Sequence, residues 1–209
     1  MIDFFLNAYK DKPTIDIVLE AVVLITGILS VYFAKKENIW VYPTGIIATV
    51  ITVYLLYKVG YFAEMTLNIY FSVMSIYGWV NWTRKKDEGY IVKISRTNTK
   101  QKIIGVLLFF LTIVVTYFVY HLFGEEIKPE NYIDIFISGL FFTGMWYMAM
   151  KKIENWTLWI IADIIAVPLY AYREMGMLSL QYVFFTILAI LAYIEWRKIL
   201  NSSPQIKSE

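Results

Sequence analysis

Apolar positions run along this chain in seven blocks, at about 14–34, 39–58, 61–82, 102–124, 131–150, 155–172 and 177–196. Each approaches the roughly 20 residues a helix needs to cross the hydrocarbon core. The breaks between them are short and polar: Lys35-Lys36-Glu37-Asn38, Lys58-Val59-Gly60, Gly124 to Asn131, Lys151 to Glu154 and Arg173 to Gly176. One connection is long, Thr83 to Gln101, and it is basic. The stretch from Asn201 to Glu209 has the polar composition of a disordered tail. The pattern predicts an all-α integral membrane protein with seven transmembrane helices.

Composition supports the bilayer as solvent. Hydrophobic residues make up 59% of the chain and the mean hydropathy is +0.56. That is more apolar surface than a globular core of this length can hide. Residues Met1 to Asp16 carry mixed charges and do not read as a cleavable signal peptide. Placing the 83–102 connection in the cytoplasm puts fourteen of the 19 Lys and Arg residues on that side. The positive-inside rule then sets the N-terminus outside and the C-terminus inside, which an odd number of spans satisfies. The net charge of +2 implies no nucleic-acid partner. With no Cys and a single histidine, His121, neither thiol chemistry nor a His-built metal site is expected, and no nucleophile or phosphate loop points to an enzyme. No cofactor is expected. The basic 83–102 run reads as a positive-inside anchor against membrane lipid.

The chain also repeats itself at an offset of roughly 115 residues. Lys35-Lys36-Glu37-Asn38-Ile39-Trp40 is answered by Lys151-Lys152-Ile153-Glu154-Asn155-Trp156, and Tyr57-Lys58 by Tyr172-Arg173. Glu20 pairs with Asp134, Asn68 with Gln181, and Trp82 with Trp196. Two three-helix repeats, about 14–84 and 131–198, are joined by a linker helix at 102–124 and followed by a cytoplasmic tail at 199–209. One intervening span makes the repeats parallel (3+1+3), an architecture of transporters with the site between halves.

Ionisable groups at membrane depth mark candidate sites. Asp163 lies mid-helix among Ile160, Ile161, Ile164 and Ile165, at an insertion cost of around 3 kcal/mol. Trp156, Trp159 and Asp163 share a helix face, which suits a flat cationic ligand; a structural Asp bonded within the bundle is the other reading. Asn68 and Gln181 either bind a solute or tie helices together. Glu20 and Asp134 read as structural partners. Pro43 and Pro168 are expected to kink the second helix of each half and serve as gates. Trp40, Tyr42, Tyr77, Trp82 and Trp196 are expected in the interfacial belt and in packing, with Trp79 deeper. His121 is expected at the interface.

Several of these stretches resemble one family. Glu20-Ala21-Val22 with Gly27, Ser75-Ile76-Tyr77-Gly78-Trp79 with Trp82, and Glu154-Asn155-Trp156-x-x-Trp159 are similar to signature stretches of the PnuC family of bacterial vitamin transporters. The resemblance covers nearly the whole chain. It implies uptake of nicotinamide riboside across the inner membrane by facilitated diffusion, a homotrimer, and trapping by a cytoplasmic kinase. It carries substrate contact onto Trp156 and Trp159, with Asn155 inside the motif and Trp79 as a further candidate. Asp163 stands where the family often has Asn, Asn68 where it often has Gln, and Ala48 where it often has Asn. Relatives of the family carry thiamine or riboflavin, so thiamine is the alternative cargo. A non-transporting scaffold or sensor is the alternative from another class.

Overall fold

The computed structural model describes residues 13–60, 62–86, 89–90, 92–122, 128–173 and 175–202. The expected tail beyond residue 202 and the N-terminal stretch through residue 12, with Lys10, Lys12 and Lys207, lie outside the described residues. Seven helices follow in order: α1 (Thr14–Lys35), α2 (Val41–Val59), α3 (Phe62–Thr83), α4 (Thr99–Leu122), α5 (Pro129–Ala149), α6 (Glu154–Tyr172) and α7 (Gly176–Ser202). Between α3 and α4, β1 (Lys85–Lys86) and β2 (Gly89–Tyr90) form a two-residue antiparallel ladder, with Lys85 opposite Tyr90. Helices α1, α2, α4, α5 and α7 are long and apolar enough to span a bilayer. Helices α3 and α6, of 22 and 19 residues, are equally long but carry more of the polar residues, among them Asn68, Ser75, Asn81, Asn155 and Asp163.

Local chemistry sets the ends. Gly60 closes α2 in the left-handed region at φ 78°, where a side chain would be strained. Pro129 opens α5, where its missing N–H loses no partner. Asn131 Oδ1 accepts from the Lys128 backbone N–H at 2.9 Å, completing that cap. Large apolar side chains such as Ile25, Leu107, Phe110 and Ile187 point outward, as a lipid-facing surface requires.

Each half packs in chain order: α1 on α2 on α3, and α5 on α6 on α7. The halves meet where α1 lies against α7 and α3 against α5, while α4 rests on α5 and barely touches α3. Exchanging the two triplets leaves this pattern unchanged, so the halves are related by a pseudo-two-fold axis. The fold is a parallel 3+1+3 arrangement, with α5 its most enclosed helix.

The repeat register differs from the one read off the lysine pairs. Glu37 (φ 55°) and Lys151 (φ 50°) are the described non-glycine residues with positive φ, and they stand 114 residues apart. The turns around them share one bonding pattern. Asn38 N–H donates to Phe33 O at 2.9 Å, and Lys152 N–H to Tyr147 O at 2.8 Å. In the same register, Trp82 Nε1 donates to Met148 O at 3.2 Å and Trp196 Nε1 to Ala34 O at 3.0 Å. Glu37 therefore matches Lys151, Tyr42 matches Trp156, and Gly45 matches Trp159. The Lys-Lys dipeptides are similar in letters but two residues out of register. By the same spacing Asn68 matches Tyr182 rather than Gln181. The same spacing matches Glu20 with Asp134, as expected, but the ion pairs do not follow it: Asp134 of α5 pairs with Arg173, whereas in the first half Asp16 pairs with Lys58, at 2.6 Å. Glu20 lies one turn further along α1.

Candidate functional site

The centre of the bundle holds a row of aromatic rings in two symmetric arms. Tyr42 meets Trp82 edge-on at 5.1 Å between centroids, and Trp156 meets Trp196 edge-on at 5.4 Å. Trp82 and Trp196 join the arms across the axis at 6.2 Å. Trp159 extends the second arm, edge-on to Trp156 at 5.9 Å. Tyr42, Trp82, Trp156 and Trp196 are all buried, so they form the core and not an interfacial belt. Trp40 and Tyr77 are exposed, in keeping with a belt. His121 is exposed with its ring stacked near Tyr117.

The arms differ in size at the Gly45 and Trp159 counterparts, and a cavity sits there. Where α6 carries Trp159, α2 carries Gly45. A cavity of about 50 Å³ lies between the halves, lined by Ser30, Tyr42, Ser75, Met145, Met148 and Trp159. The Trp159 ring packs directly on Gly144, and the Tyr42 ring on Gly78; a β-carbon at either glycine would overlap the ring. This explains the glycine within the Tyr77-Gly78-Trp79 stretch.

The electrostatics of the centre are set by unpartnered polar atoms. Among the described residues, the Tyr42 hydroxyl, Trp156 Nε1, Trp159 Nε1 and Asn155 Oδ1 are buried with no hydrogen-bond partner. Leaving such a group unpaired costs about 1–3 kcal/mol. Asp163 is 3% exposed and acts electrostatically on Tyr182 of α7, with no hydrogen bond or ion pair to it among those described. Asn155 Nδ2 donates to Lys152 O at 2.6 Å, which fixes the side chain in its own turn.

The expected site residues separate into two groups. Trp156, Trp159, Asn155 and Asp163 lie together on α6 inside the bundle. Asn68 and Gln181 are half-buried on α3 and α7. Trp79 is 41% exposed, on the outward face of α3, because Ser75, Gly78 and Trp82 occupy its inward face. Pro43 sits in the first turn of α2, where no intrahelical bond is lost, so it makes no kink there. Pro168 lies inside α6 and faces outward. Next to it, Ser179 Oγ donates to Val167 O at 2.8 Å, satisfying a carbonyl beside the proline.

Sequence reading passed over Ser30, Ser75 and Tyr42 as site residues. Reading the repeat at 114 residues marks Tyr42 as the partner of Trp156. A second cavity, of about 170 Å³, lies between α3, α4 and α5, lined by Thr66, Tyr70, Thr112, Ser138 and Phe142 and reaching Asp134 and Tyr182. Its wall includes Tyr70 stacked on Phe142 at 3.8 Å.

Two parallel helical triplets enclosing an aromatic, polar-edged cavity define a multi-pass membrane transporter. Residues 17–198 match the family model described as nicotinamide mononucleotide transporter. The chain belongs to that family, the family of the PnuC proteins. It is similar to the nicotinamide riboside transporter PnuC of Escherichia coli, with 26% identity over 195 residues, covering 82% of each chain. The nicotinamide riboside transporter PnuC of Neisseria mucosa is also 26% identical over 195 residues, covering 88% of this chain and 73% of the relative. A crystal structure of the vitamin B3 transporter PnuC matches with a TM-score of 0.70 and 25% identity, covering 88% of this chain and 82% of its own.

Proposed function

We propose that this chain carries nicotinamide riboside across the bacterial inner membrane by facilitated diffusion. The observation that carries the reading is the Trp156–Trp159 pair beside Asp163, with the cavity against Trp159. Indole faces attract a flat cation, and a buried carboxylate with no ion pair among the described residues stabilises its charge. Unpartnered donors on Tyr42, Trp156 and Trp159 serve polar groups of the solute. The relatives named as nicotinamide riboside transporters favour this cargo. Asn68, Asn155 and Gln181 complete the proposed contact set; exposed Trp79 and first-turn Pro43 have no place in it.

The cycle we infer is alternating access by rocking of the two halves, with cytoplasmic phosphorylation of the product sustaining net uptake. The N-terminus lies outside and the C-terminus in the cytoplasm, and the chain assembles as a homotrimer among membrane lipids. It acts as a carrier and not as an enzyme. Thiamine is the second cargo. Asp163 serves either cation, and Ala48, where an amide would bond a sugar hydroxyl, suits a solute without ribose.

Uptake into proteoliposomes lacking any kinase tests the mechanism. Labelled nicotinamide riboside should equilibrate to equal concentrations inside and out, unaffected by an uncoupler. Accumulation that an uncoupler abolishes would replace facilitated diffusion with ion coupling.

A further inference from the structure

Three side-chain ion pairs are described. Asp16–Lys58 lies within the first half and Asp134–Arg173 within the second. Glu37–Lys151 crosses between the halves, with Lys151 Nζ at 2.5 Å from Glu37 Oε1. Its two members are symmetry counterparts, each in the turn between the first two helices of its half and each at positive φ. The repeat thus places one position twice beside its own axis, as an acid in one half and a base in the other. Identical residues there would repel or fail to pair; opposite charges join.

The surroundings make this pair part of a closure. The Lys151 side chain is 4% exposed, and its ammonium stands 4.5 Å from the centre of the Trp82 ring. Trp82 and Trp196 each donate to a carbonyl of the opposite half. Val31, Ala34, Trp82, Met148, Ile153 and Trp196 belong to one buried cluster that is continuous across both halves at this end. The other buried cluster, of Ile137, Leu140, Ala162, Ala166 and Leu169, stays within the second half. The small cavity lies directly against the crossing cluster, since Ala34, Tyr42 and Met148 belong to both.

The turn that presents Lys151 is itself held from outside the repeat. Ser95 N–H donates to Lys151 O at 3.1 Å, and Ile153 N–H to Ser95 O at 3.0 Å. Lys152 Nζ donates to Ser95 Oγ at 2.7 Å, and Thr97 N–H to Glu154 Oε2 at 3.1 Å. Ile94 is buried beside them. The turn carrying Glu37 lacks such a strap among the described residues, so Glu37 is the side that departs when the halves separate.

We propose that Glu37 and Lys151 form the latch of the transport path at its lysine-rich end, holding the two halves closed below the cavity. The pair positions the halves and does not contact solute. Separation of the halves breaks the ion pair and both indole bonds together, which makes closure two-state. This inference rests on the alternating-access reading, but its test involves no solute.

The chain has no cysteine, so a single engineered thiol is read without background. Ser75→Cys, nearly isosteric and lining the cavity, is labelled with a water-soluble maleimide in purified, detergent-solubilised protein. In that background Glu37→Gln and Lys151→Gln should each label about tenfold faster, as a shift toward an open state dictates. The exchanged pair Glu37→Lys with Lys151→Glu should return labelling toward the parent rate. Monodisperse elution and cooperative melting identify variants that fold. Unchanged labelling in folded single variants overturns the latch, and so does acceleration that the exchange fails to reverse. Labelling as expected alongside absent nicotinamide riboside uptake would overturn the cargo and leave the latch standing.

Discussion

The indole of Trp159 lies on Gly144 so closely that a β-carbon on the glycine would overlap Nε1 and Cδ1 of the ring. Helix α5 therefore sets the position of the ring that forms one wall of the central cavity. Gly144→Ala must push Trp159 out of place. Overpacking of this kind costs about 1–3 kcal/mol. The expected result is a lower melting temperature together with weaker solute binding, read by thermal denaturation and titration. Unchanged values for both would mean that the ring is not positioned by this contact.

Asp163 makes the opposite trade. The residue is 3% exposed, with no ion pair to it among those described. Burying a charge is costly, and an amide of the same shape removes that cost. Asp163→Asn should raise the thermal stability of the solute-free protein. It should also weaken binding of a cationic solute by about tenfold or more, the equivalent of at least 1.4 kcal/mol. A variant that loses stability instead would show that the carboxylate is held by a structural bond.

The strap from residue 92 to 97 gives a prediction independent of cargo. Ile94 is 8% exposed and packs in the cluster with Trp82, Met148 and Ile153. Ile94→Ala removes roughly 2–5 kcal/mol of packing at a well-filled site. Limited proteolysis with trypsin should cut faster at Lys93 and Arg96, while the helices stay protected. Equal cutting rates in the parent and the variant would leave Ile94 without an anchoring role.

Trp82→Phe keeps an aromatic ring on Lys151 and deletes the hydrogen bond to Met148 O. The loss expected is about 1 kcal/mol, the net value of one such bond. Trp196→Phe should cost a similar amount, because Trp196 makes the counterpart bond to Ala34 O. A wide disparity between the two, measured by chemical denaturation, would break the energetic symmetry of the closure.

Much of the architecture was legible because the bilayer imposes a blunt rule. Long apolar blocks between polar breaks anticipated all seven helices to within a few residues, apart from the longer C-terminal end of α7. The duplication was also readable, and the Glu20–Asp134 and Trp82–Trp196 pairings carried its true register, but the turns between the first two helices of each half did not. Neighbouring lysine pairs offered a similarity in letters, whereas the register is set by backbone conformation at Glu37 and Lys151. Neither residue type advertises positive φ, so nothing in the alphabet marks those turns. Buried Lys151 was hidden for a related reason. A lysine at a helix end reads as a positive-inside anchor, and only the fold brings Glu37 to it. The Trp156, Trp159 and Asp163 face was visible from helical spacing alone. Tyr42, Ser30 and Ser75 were not, because they come from three other helices.

Calorimetric titration of the purified protein with nicotinamide riboside, then thiamine, tests the central claim most directly. The account predicts saturable binding of nicotinamide riboside that disappears in Asp163→Ala and in Trp159→Ala. Binding of thiamine alone would keep the site and change the cargo. Binding of neither, or binding untouched by both substitutions, would contradict the assignment of this aromatic and carboxylate face as the solute site.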